Sequence, residues 1–525
     1  MKRKYKYYKT RENSNFYEVL TNIYRLYRKR TAVKYRKDNK IFKISYLELV
    51  KNICSLYNYY KKEKIDNLNI GILSENRYEY IPIYLGTVFS NVIAPIDREI
   101  TESKLLVLIK KFDIKILFYT EKTKRKVAAI CDKLNIRLIN IDVDFENIIS
   151  VKFDVNLMFE NIKTVSKDKF STLAFTSGTT AEIKGAMLSQ YNIVSNLCAA
   201  HKNNNLKSPY LSILPMNHTY GFNPGVLTAL YKGITICINM DIKYFLKDLK
   251  EYNPYYIGLV PLVLEGVYKN ILNEIKNRNK EKLFFTLIKI SNFLLKLNID
   301  LRHILFGNIL CKRLKILVSG GANLDESCIR KYDELGIKVL NGYGLTECSP
   351  LVSVNMDNYI ILGSVGVIID GVTVSIAEDG EILVKGPNVM LGYYKDEEAT
   401  QKAIINGYYK TGDLGYKNNN TLYITGRKKN LIILPNGKNI CPEEIENKLL
   451  KLNYIKECIV YSKQQEGAAK ILARIFLENL HNNLEKDIEI INSDLPYYMR
   501  IDGYEIVNEE FAKTSTMKII RNKYV

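Results

Sequence analysis

The chain has 525 residues, 47% hydrophobic and 25% charged, with 77 Lys and Arg against 56 Asp and Glu, a net charge of +21. This composition excludes a largely disordered chain; nine scattered cysteines without a CxxC pair exclude a disulfide scaffold, and four histidines with no HExxH or paired-cysteine spacing argue against a zinc site. The length suggests three or four structural units, while the basic first ten residues lead into no apolar run, and the absence of a long uncharged apolar stretch leaves a cytoplasmic protein without a secretory signal or spanning helix as the expectation.

Along the chain, helical and strand-like segments alternate from Phe16 to about Thr425. Residues 45–61 carry Leu47, Val50, Ile53, Leu56 and Tyr57 at helical spacing. Asn69-Ile-Gly-Ile-Leu then reads as a buried strand and residues 80–89 as a helix. Ile116-Leu-Phe-Tyr and Arg137-Leu-Ile-Asn-Ile repeat the strand pattern. Such alternation predicts an α/β fold of parallel sheets packed between helices. From 366 to 385 the period becomes strand-like, with turns at Asp370-Gly371 and Asp379-Gly380, which reads as a β-rich lobe over about 363–425. A turn at Asn418-Asn-Asn, a short strand at 422–425 and the polar Arg427-Lys-Lys-Asn place a boundary near Gly426. The expected units are therefore residues 1–426 and a small α/β domain over 427–525.

Five segments carry candidate chemistry. Phe175-Thr-Ser-Gly-Thr-Thr-Ala-Glu-Ile-Lys-Gly185 follows an apolar run and precedes a helix-like stretch. Its hydroxyls, backbone N–H groups and lysine suit phosphate oxygens, although a polar Ser/Thr turn has the same composition. It is not a Walker loop, because Lys184 precedes Gly185. Gly342-Tyr-Gly-Leu-Thr-Glu-Cys-Ser-Pro350 sets an aromatic beside glycines, and Thr346 beside Glu347, whose carboxylate suits Mg²⁺ next to a phosphate site. Tyr409-Lys-Thr-Gly-Asp413 presents one acid on a turn. Residues 424–446, which include Gly437, and Lys513-Thr-Ser-Thr-Met-Lys-Ile-Ile-Arg521 read either as solvated charged surface or as parts of a site.

Together, in this order, the segments resemble the adenylate-forming superfamily of AMP-forming acyl-CoA synthetases, adenylation domains and luciferases, from about residue 16 onward. Thr346-Glu-Cys-Ser-Pro350, Lys385-Gly-Pro-Asn-Val-Met-Leu-Gly-Tyr-Tyr394, Gly426-Arg-Lys-Lys-Asn430 and Leu214-Pro-Met-Asn-His-Thr-Tyr220 are similar to bacterial long-chain fatty acid–CoA ligases. The resemblance implies that Thr176, Ser177, Gly178, Thr179, Thr180 and Lys184 enclose the ATP phosphates, and that Thr176 and Glu347 hold Mg²⁺. It implies an adenine slot of Gly320, Gly321 and Ala322 with Tyr343 and Gly344, and ribose contacts from Asp413 beside Arg427. Lys518 becomes the catalytic lysine, acting with Glu347 and Thr346; Lys429 the hinge of a mobile C-terminal domain; and the Gly437 face the guide for the CoA thiol. The implied reaction is fatty acid plus ATP to acyl-AMP, then to acyl-CoA. Transfer to a carrier-protein thiol, and a non-catalytic acyl- or nucleotide-binding homologue, are the competing expectations, although no carrier sequence follows. Ala181 and Ile183 stand where relatives usually have Gly and Pro, Ala512 replaces a common Pro, and Met517 replaces a common Gly.

The charge is uneven. Residues 1–40 hold 14 Lys or Arg against 3 acids, and residues 269–315 hold 11 against 3, so these windows contain nearly all of the +21. AT-rich codon usage accounts for abundant lysine but not for its concentration. In the second window, residues 283–301 carry Thr286, Lys289, Asn292, Lys296 and Asp300 as a polar stripe on an otherwise apolar helix. Two readings stand: a core helix beneath a sheet, or a surface helix meeting lipid at an anionic membrane. No nucleic-acid motif accompanies the charge, so the expected partners are a fatty acid and, peripherally, the inner membrane face.

Overall fold

The computed structural model describes residues 5–131, 135–151, 154–176, 183–322, 324–434, 438–452, 454–465, 468–478, 483–514 and 519–525. They form two compact units, residues 1–373 with 384–409, and residues 374–383 with 410–525.

The first unit contains two sheets. In one, the strands run in the order Gly392–Tyr393, Lys184–Ser189, Phe170–Thr176, Val92–Ile96, Asn69–Leu73, Ile114–Tyr119 and Arg137–Asn140. Asn69–Leu73 and Val92–Ile96 are buried at every position, as a strand covered on both faces must be. They pair in parallel, with Ile114–Tyr119 on the other side of Asn69–Leu73. Helix Tyr46–Lys62 starts where the Ser45 hydroxyl accepts the Glu48 N–H at 3.1 Å, an N-cap that satisfies one of the free amides of the first turn. It packs its buried face against helix Tyr80–Thr87.

The other sheet of this unit orders Val367–Ile368, Leu351–Val354, Lys338–Gly344, Ile316–Ser319, Tyr256–Leu259, Tyr210–Ser212, Ile236–Ile238, Thr31–Lys37 and Lys40–Ser45. Strands Tyr256–Leu259, Ile316–Ser319 and Lys338–Gly344 are parallel neighbours. Helices Phe245–Tyr252, Pro261–Asn277, Glu281–Lys296 and Glu326–Glu334 join Leu211, Ile257, Leu317 and Val339 in one apolar core. With no tryptophan in the chain, the bulk of the interior comes from tyrosine: Tyr46, Tyr60, Tyr80, Tyr84, Tyr210, Tyr256 and Tyr332 are fully buried. Several hydroxyls are satisfied inside, Tyr46 by the Ile234 carbonyl at 2.8 Å, Tyr84 by Thr172 at 2.7 Å and Tyr332 by the Leu264 carbonyl at 2.7 Å.

In the second unit, strands Tyr408–Asn418 (from Lys410 on) and Thr421–Arg427 pair antiparallel. A sheet of Ile455–Gln465, Ala468–Leu477 and Gly503–Val507 packs with helices Pro442–Leu449 and Leu484–Ser493 around Ile445, Leu449, Val460, Ile475 and Ile488. The expected α/β class, with a large N-terminal part and a smaller C-terminal α/β part, is thus observed.

Four local expectations change. The stretch after the segment expected to bind phosphate is a strand, Lys184–Ser189, and the helix begins only at Gln190. The strand expected at 422–425 extends over Thr421–Arg427, so Arg427 closes a strand instead of opening a junction. Ile141 starts a helix instead of ending a strand. The basic helix spans Glu281–Lys296; the chain leaves it at Asn298, whose φ of 62° is left-handed, so Asp300 lies off the helix and pairs with Arg302 at 2.8 Å. Among the described residues no helix is long and apolar enough to cross a membrane.

Candidate active site

The segment expected to bind phosphate begins and ends on two antiparallel strands. Thr176 and Lys184 face each other as the last register pair of strands Phe170–Thr176 and Lys184–Ser189. Gly185 follows because a Cβ there would come within 2.7 Å of Leu173 Cδ1 and Phe112 Cε1. Ser177, Gly178, Thr179 and Thr180 lie outside the described residues, as do Ala181, Gly437, Met517 and Lys518.

Lys184 projects its ammonium 4.9 Å from the centre of the Tyr393 ring, within cation–π range. The Tyr393 hydroxyl donates to Glu347 Oε1 at 3.0 Å and lies 3.5 Å from the Tyr409 hydroxyl. The Glu347 backbone carbonyl accepts the Met390 N–H at 2.8 Å. Two segments that looked separate in sequence, the hairpin paired at Thr176 and Lys184 and the Thr346-Glu347 turn, therefore meet on one tyrosine. Burial, and then the Glu347 charge, push the Tyr393 phenol above its ordinary range, so it remains a hydrogen-bond donor to the carboxylate. Sequence reasoning quoted Tyr393 within a motif without giving it a role. Its neighbour Gly392 has φ +144° and would press a Cβ to 2.8 Å from Thr400 Cγ2.

Thr346–Cys348 is a single 3-10 turn after strand Lys338–Gly344. Leu345 N–H donates to the Pro350 carbonyl at 2.9 Å. Gly344 is required by that closure, since a Cβ would sit 2.0 Å from the same carbonyl oxygen. The Thr346 hydroxyl is 3.4 Å from that of Thr219, and His218 beside it has Nε2 3.8 Å from Asp97 Oδ2.

Gly320 follows strand Ile316–Ser319, whose Ser319 pairs with Asn341. It thus lies beside Gly342 and next to Tyr343, with the Gly342 carbonyl 3.5 Å from where its Cβ would be. Gly321 has φ +87°. The Tyr220 ring covers the other approach, 3.2 Å from that Cβ position, its hydroxyl donating to the Leu259 and Val318 carbonyls at 3.2 and 3.0 Å. The expected adenine-slot residues are therefore neighbours at the C-terminal ends of parallel strands, where α/β sheets bind ligands.

In the second unit, Asp413 and Arg427 are register partners on antiparallel strands, with Arg427 Nε 2.9 Å from Asp413 Oδ1. Asp413 is buried, and its N–H donates to the Thr411 hydroxyl at 3.1 Å. Lys428 pairs with Asp379 and Glu381 at 2.5 and 2.9 Å. Near the C-terminus, an antiparallel bridge joins Lys513 and Ile519, described residues on either side of the Lys518 position in sequence. Both flanks are pinned. Lys513 pairs with Glu457, and with Glu510 at 2.7 Å; burial opposes its charge, but these two carboxylates outweigh it and raise its pKa. Arg521 donates to Glu446 at 2.5 Å and to the Val460 carbonyl at 2.6 Å. Apart from the neighbouring Glu510, these partners lie 56 to 75 residues away in sequence and had no local signal.

Residues 22–394 match the family described as AMP-binding enzyme. Long-chain-fatty-acid–CoA ligase FadD15 of Mycobacterium bovis is 32% identical over 311 residues, 55% of this chain and 52% of that protein, so the chain matches about half the relative's length. Among solved structures, ATP-bound MatB from Rhodopseudomonas palustris superposes with TM-score 0.78 at 21% identity, covering 98% of both chains. The anthranilate CoA ligase AuaEII in complex with anthranoyl-AMP gives TM-score 0.79 at 17% identity, covering 98% of this chain and 96% of the other. The two structural likenesses establish the fold.

Proposed function

The chain belongs to the AMP-binding enzyme family, and so to the adenylate-forming superfamily its motifs resemble, and on that premise we propose that it is an ATP-dependent acid–thiol ligase acting on fatty acids. A fatty carboxylate oxygen attacks the α-phosphorus of ATP, the bond to the β-phosphate oxygen breaks and pyrophosphate leaves. The CoA thiol then attacks the acyl carbonyl of acyl-AMP, forming the thioester and releasing AMP. The observation that carries the reading is the junction on Tyr393, which links the Lys184 ammonium of the phosphate hairpin to the Glu347 carboxylate.

Each residue has work that its chemistry suits. Lys184 and the hydroxyl-rich connection bind phosphate oxygens, and Tyr393 fixes both Lys184 and one oxygen of Glu347. Thr176 and Glu347 offer the hard oxygen donors that Mg²⁺ prefers, in the small number that leaves room for phosphate and water; bound there, the ion neutralises phosphate charge. Gly320, Gly321 and Ala322, with Tyr343 and Gly344, take the adenine, their missing or small side chains leaving room for a flat ring. Asp413, an acceptor-only carboxylate, takes the two ribose hydroxyls while Arg427 holds its orientation. Lys518 offsets the charge that develops as carboxylate meets α-phosphate. Lys429 serves as hinge and the Gly437 segment as thiol guide.

The fatty-acid part draws support from the FadD15 likeness and the four motifs shared with long-chain ligases. Such acids partition into bilayers, so the reading includes peripheral contact with an anionic membrane. ATP–pyrophosphate exchange over a series of acid chain lengths, with and without CoA, tests it. Exchange and AMP release that rise with chain length support the proposal; exchange without CoA-dependent AMP release points to a carrier-protein thiol, and no exchange with any acid refutes the enzyme. Lys518→Ala should lower exchange by about 10²–10³-fold while thioester formation from supplied acyl-AMP persists.

A further inference from the structure

Helix Glu281–Lys296 divides its apolar surface in two. Phe284, Ile288 and Ser291 point inward, and Phe284 and Ile288 belong to the core of the first unit, with Phe284 edge-on to Phe306 at 5.7 Å. Leu283, Ile290 and Phe293, with Leu297 at the C-cap, face outward, 54, 47, 62 and 55% exposed. Leu283, Ile290 and Leu297 recur every seven residues, so they form one row along the helix. Lys282, Lys289 and Lys296 form a second row, also at seven-residue spacing, with Thr286 and Phe293 between the two. None of the three lysines has an ion-pair partner among the described residues, and Glu281 is the one acid on the helix. Ile299 and Ile304, 46 and 78% exposed, extend the apolar surface beyond the helix. The basic hairpin of strands Thr31–Lys37 and Lys40–Ser45 packs Ile41 against the same core.

We propose that this outward face is a docking surface for an anionic lipid bilayer, with Leu283, Ile290, Phe293 and Leu297 entering the headgroup–acyl boundary while Lys282, Lys289 and Lys296 meet lipid phosphates. A row of aliphatic and aromatic side chains bordered by unpaired ammonium groups has the chemistry of an interfacial helix. A lysine reaches headgroups while its methylenes stay in apolar surroundings. Charge favours lipid over a second copy: an antiparallel two-fold contact on this face sets lysine row against lysine row. The proposal rests on the fatty-acid reading only for why the enzyme gains from a bilayer, and it specifies which surface touches it.

The test is flotation of the full chain with vesicles of phosphatidylcholine alone and of phosphatidylcholine mixed with phosphatidylglycerol. The wild type should float with the anionic vesicles and weakly with the neutral ones. A lysine at an anionic surface contributes about fivefold in partitioning, so K282Q/K289Q/K296Q should lower anionic partitioning roughly 100-fold, whereas the three Lys→Arg changes should preserve it. I290S/F293S should reduce binding as well, with thermal unfolding unchanged because both side chains already face water. Failure of the wild type to float, or flotation of the triple Gln variant equal to wild type, overturns the proposal. So does loss of a sedimenting dimer in I290S/F293S with flotation intact, which assigns the face to a second copy. ATP–pyrophosphate exchange over the acid chain-length series is measured alongside: no exchange with any acid, with flotation intact, refutes the ligase and leaves the docking surface standing, and exchange without flotation refutes docking alone.

Discussion

Removing one oxygen atom, in Tyr393→Phe, separates the two jobs assigned to this ring. Phenylalanine keeps the aromatic face beneath the Lys184 ammonium, 4.9 Å away, so the seat of that charge survives. What is lost is the 3.0 Å hydrogen bond to Glu347 Oε1. A hydrogen bond to a charged group is worth about 1.5–3 kcal/mol, and because Tyr393 is buried, water has little access to replace it. If all of that orientation is used in the adenylation transition state, kcat/KM falls by about 10- to 100-fold, at 1.36 kcal/mol per tenfold. Because Glu347 is also the proposed Mg²⁺ ligand, the half-saturating Mg²⁺ concentration should rise in the same variant. The loss of Tyr409's hydroxyl neighbour at 3.5 Å adds a stability cost of about 1 kcal/mol at most. The assay is ATP–pyrophosphate exchange titrated with Mg²⁺, with thermal unfolding alongside. Exchange and Mg²⁺ dependence both equal to wild type, in a variant that unfolds normally, would refute the positioning role of Tyr393.

Three further outcomes are expected. His201 is fully buried, its Nε2–H donating to the Thr228 carbonyl at 2.8 Å, its ring stacked 5.0 Å from Tyr231 and its Nδ1 unpartnered. Burial, with a smaller contribution from Lys232, lowers its pKa from 6.5 to about 3. The unfolded chain therefore binds a proton that the native state refuses, and stability falls as pH drops below 6.5, by roughly 2 kcal/mol from this group at pH 5; His201→Gln should flatten that part of a denaturant-versus-pH profile. Phe284→Ala should cost about 3–5 kcal/mol in urea unfolding, whereas Phe293→Ser on the same helix should stay within about 0.5 kcal/mol. Gly344→Ala should destabilise by about 3 kcal/mol or prevent folding, because its Cβ meets backbone at 2.0 Å and no side-chain rotation relieves it; reduced soluble yield with a lowered unfolding midpoint is the readout.

Periodicity made the alternating elements legible, since Asn69–Leu73 and Val92–Ile96 are apolar for the plain reason that both faces are covered. It did not reveal that Thr176 and Lys184 close a hairpin, because Gly185-Ala-Met-Leu188 suits a helix start as well as a short strand. The breadth of the apolar face on Glu281–Lys296 was visible, but which half turns inward depends on Phe306 and the other core residues that meet it. The motif residues near Gly320, Tyr343 and Glu347 could be named in advance. Tyr393 could not be singled out by pattern in a chain with 39 tyrosines. Arg521 on Glu446 is a contact that only the fold creates.

The tyrosine interior gives the protein an optical character of its own. Without tryptophan, its intrinsic emission comes from phenol rings alone. Burial lifts the ionisation of Tyr46, Tyr78, Tyr80 and Tyr256 well above 10. In mild alkali those rings stay un-ionised while the chain is folded, and ionise when it opens, so phenolate absorbance becomes a clock for alkaline unfolding. Since the unfolded rings release protons that the folded ones retain, the native state loses ground as pH climbs past 10. A single tryptophan introduced at position 293 and excited beyond the absorption of phenols would be the chain's one indole emitter, its colour reporting whether that site sits in water or in lipid.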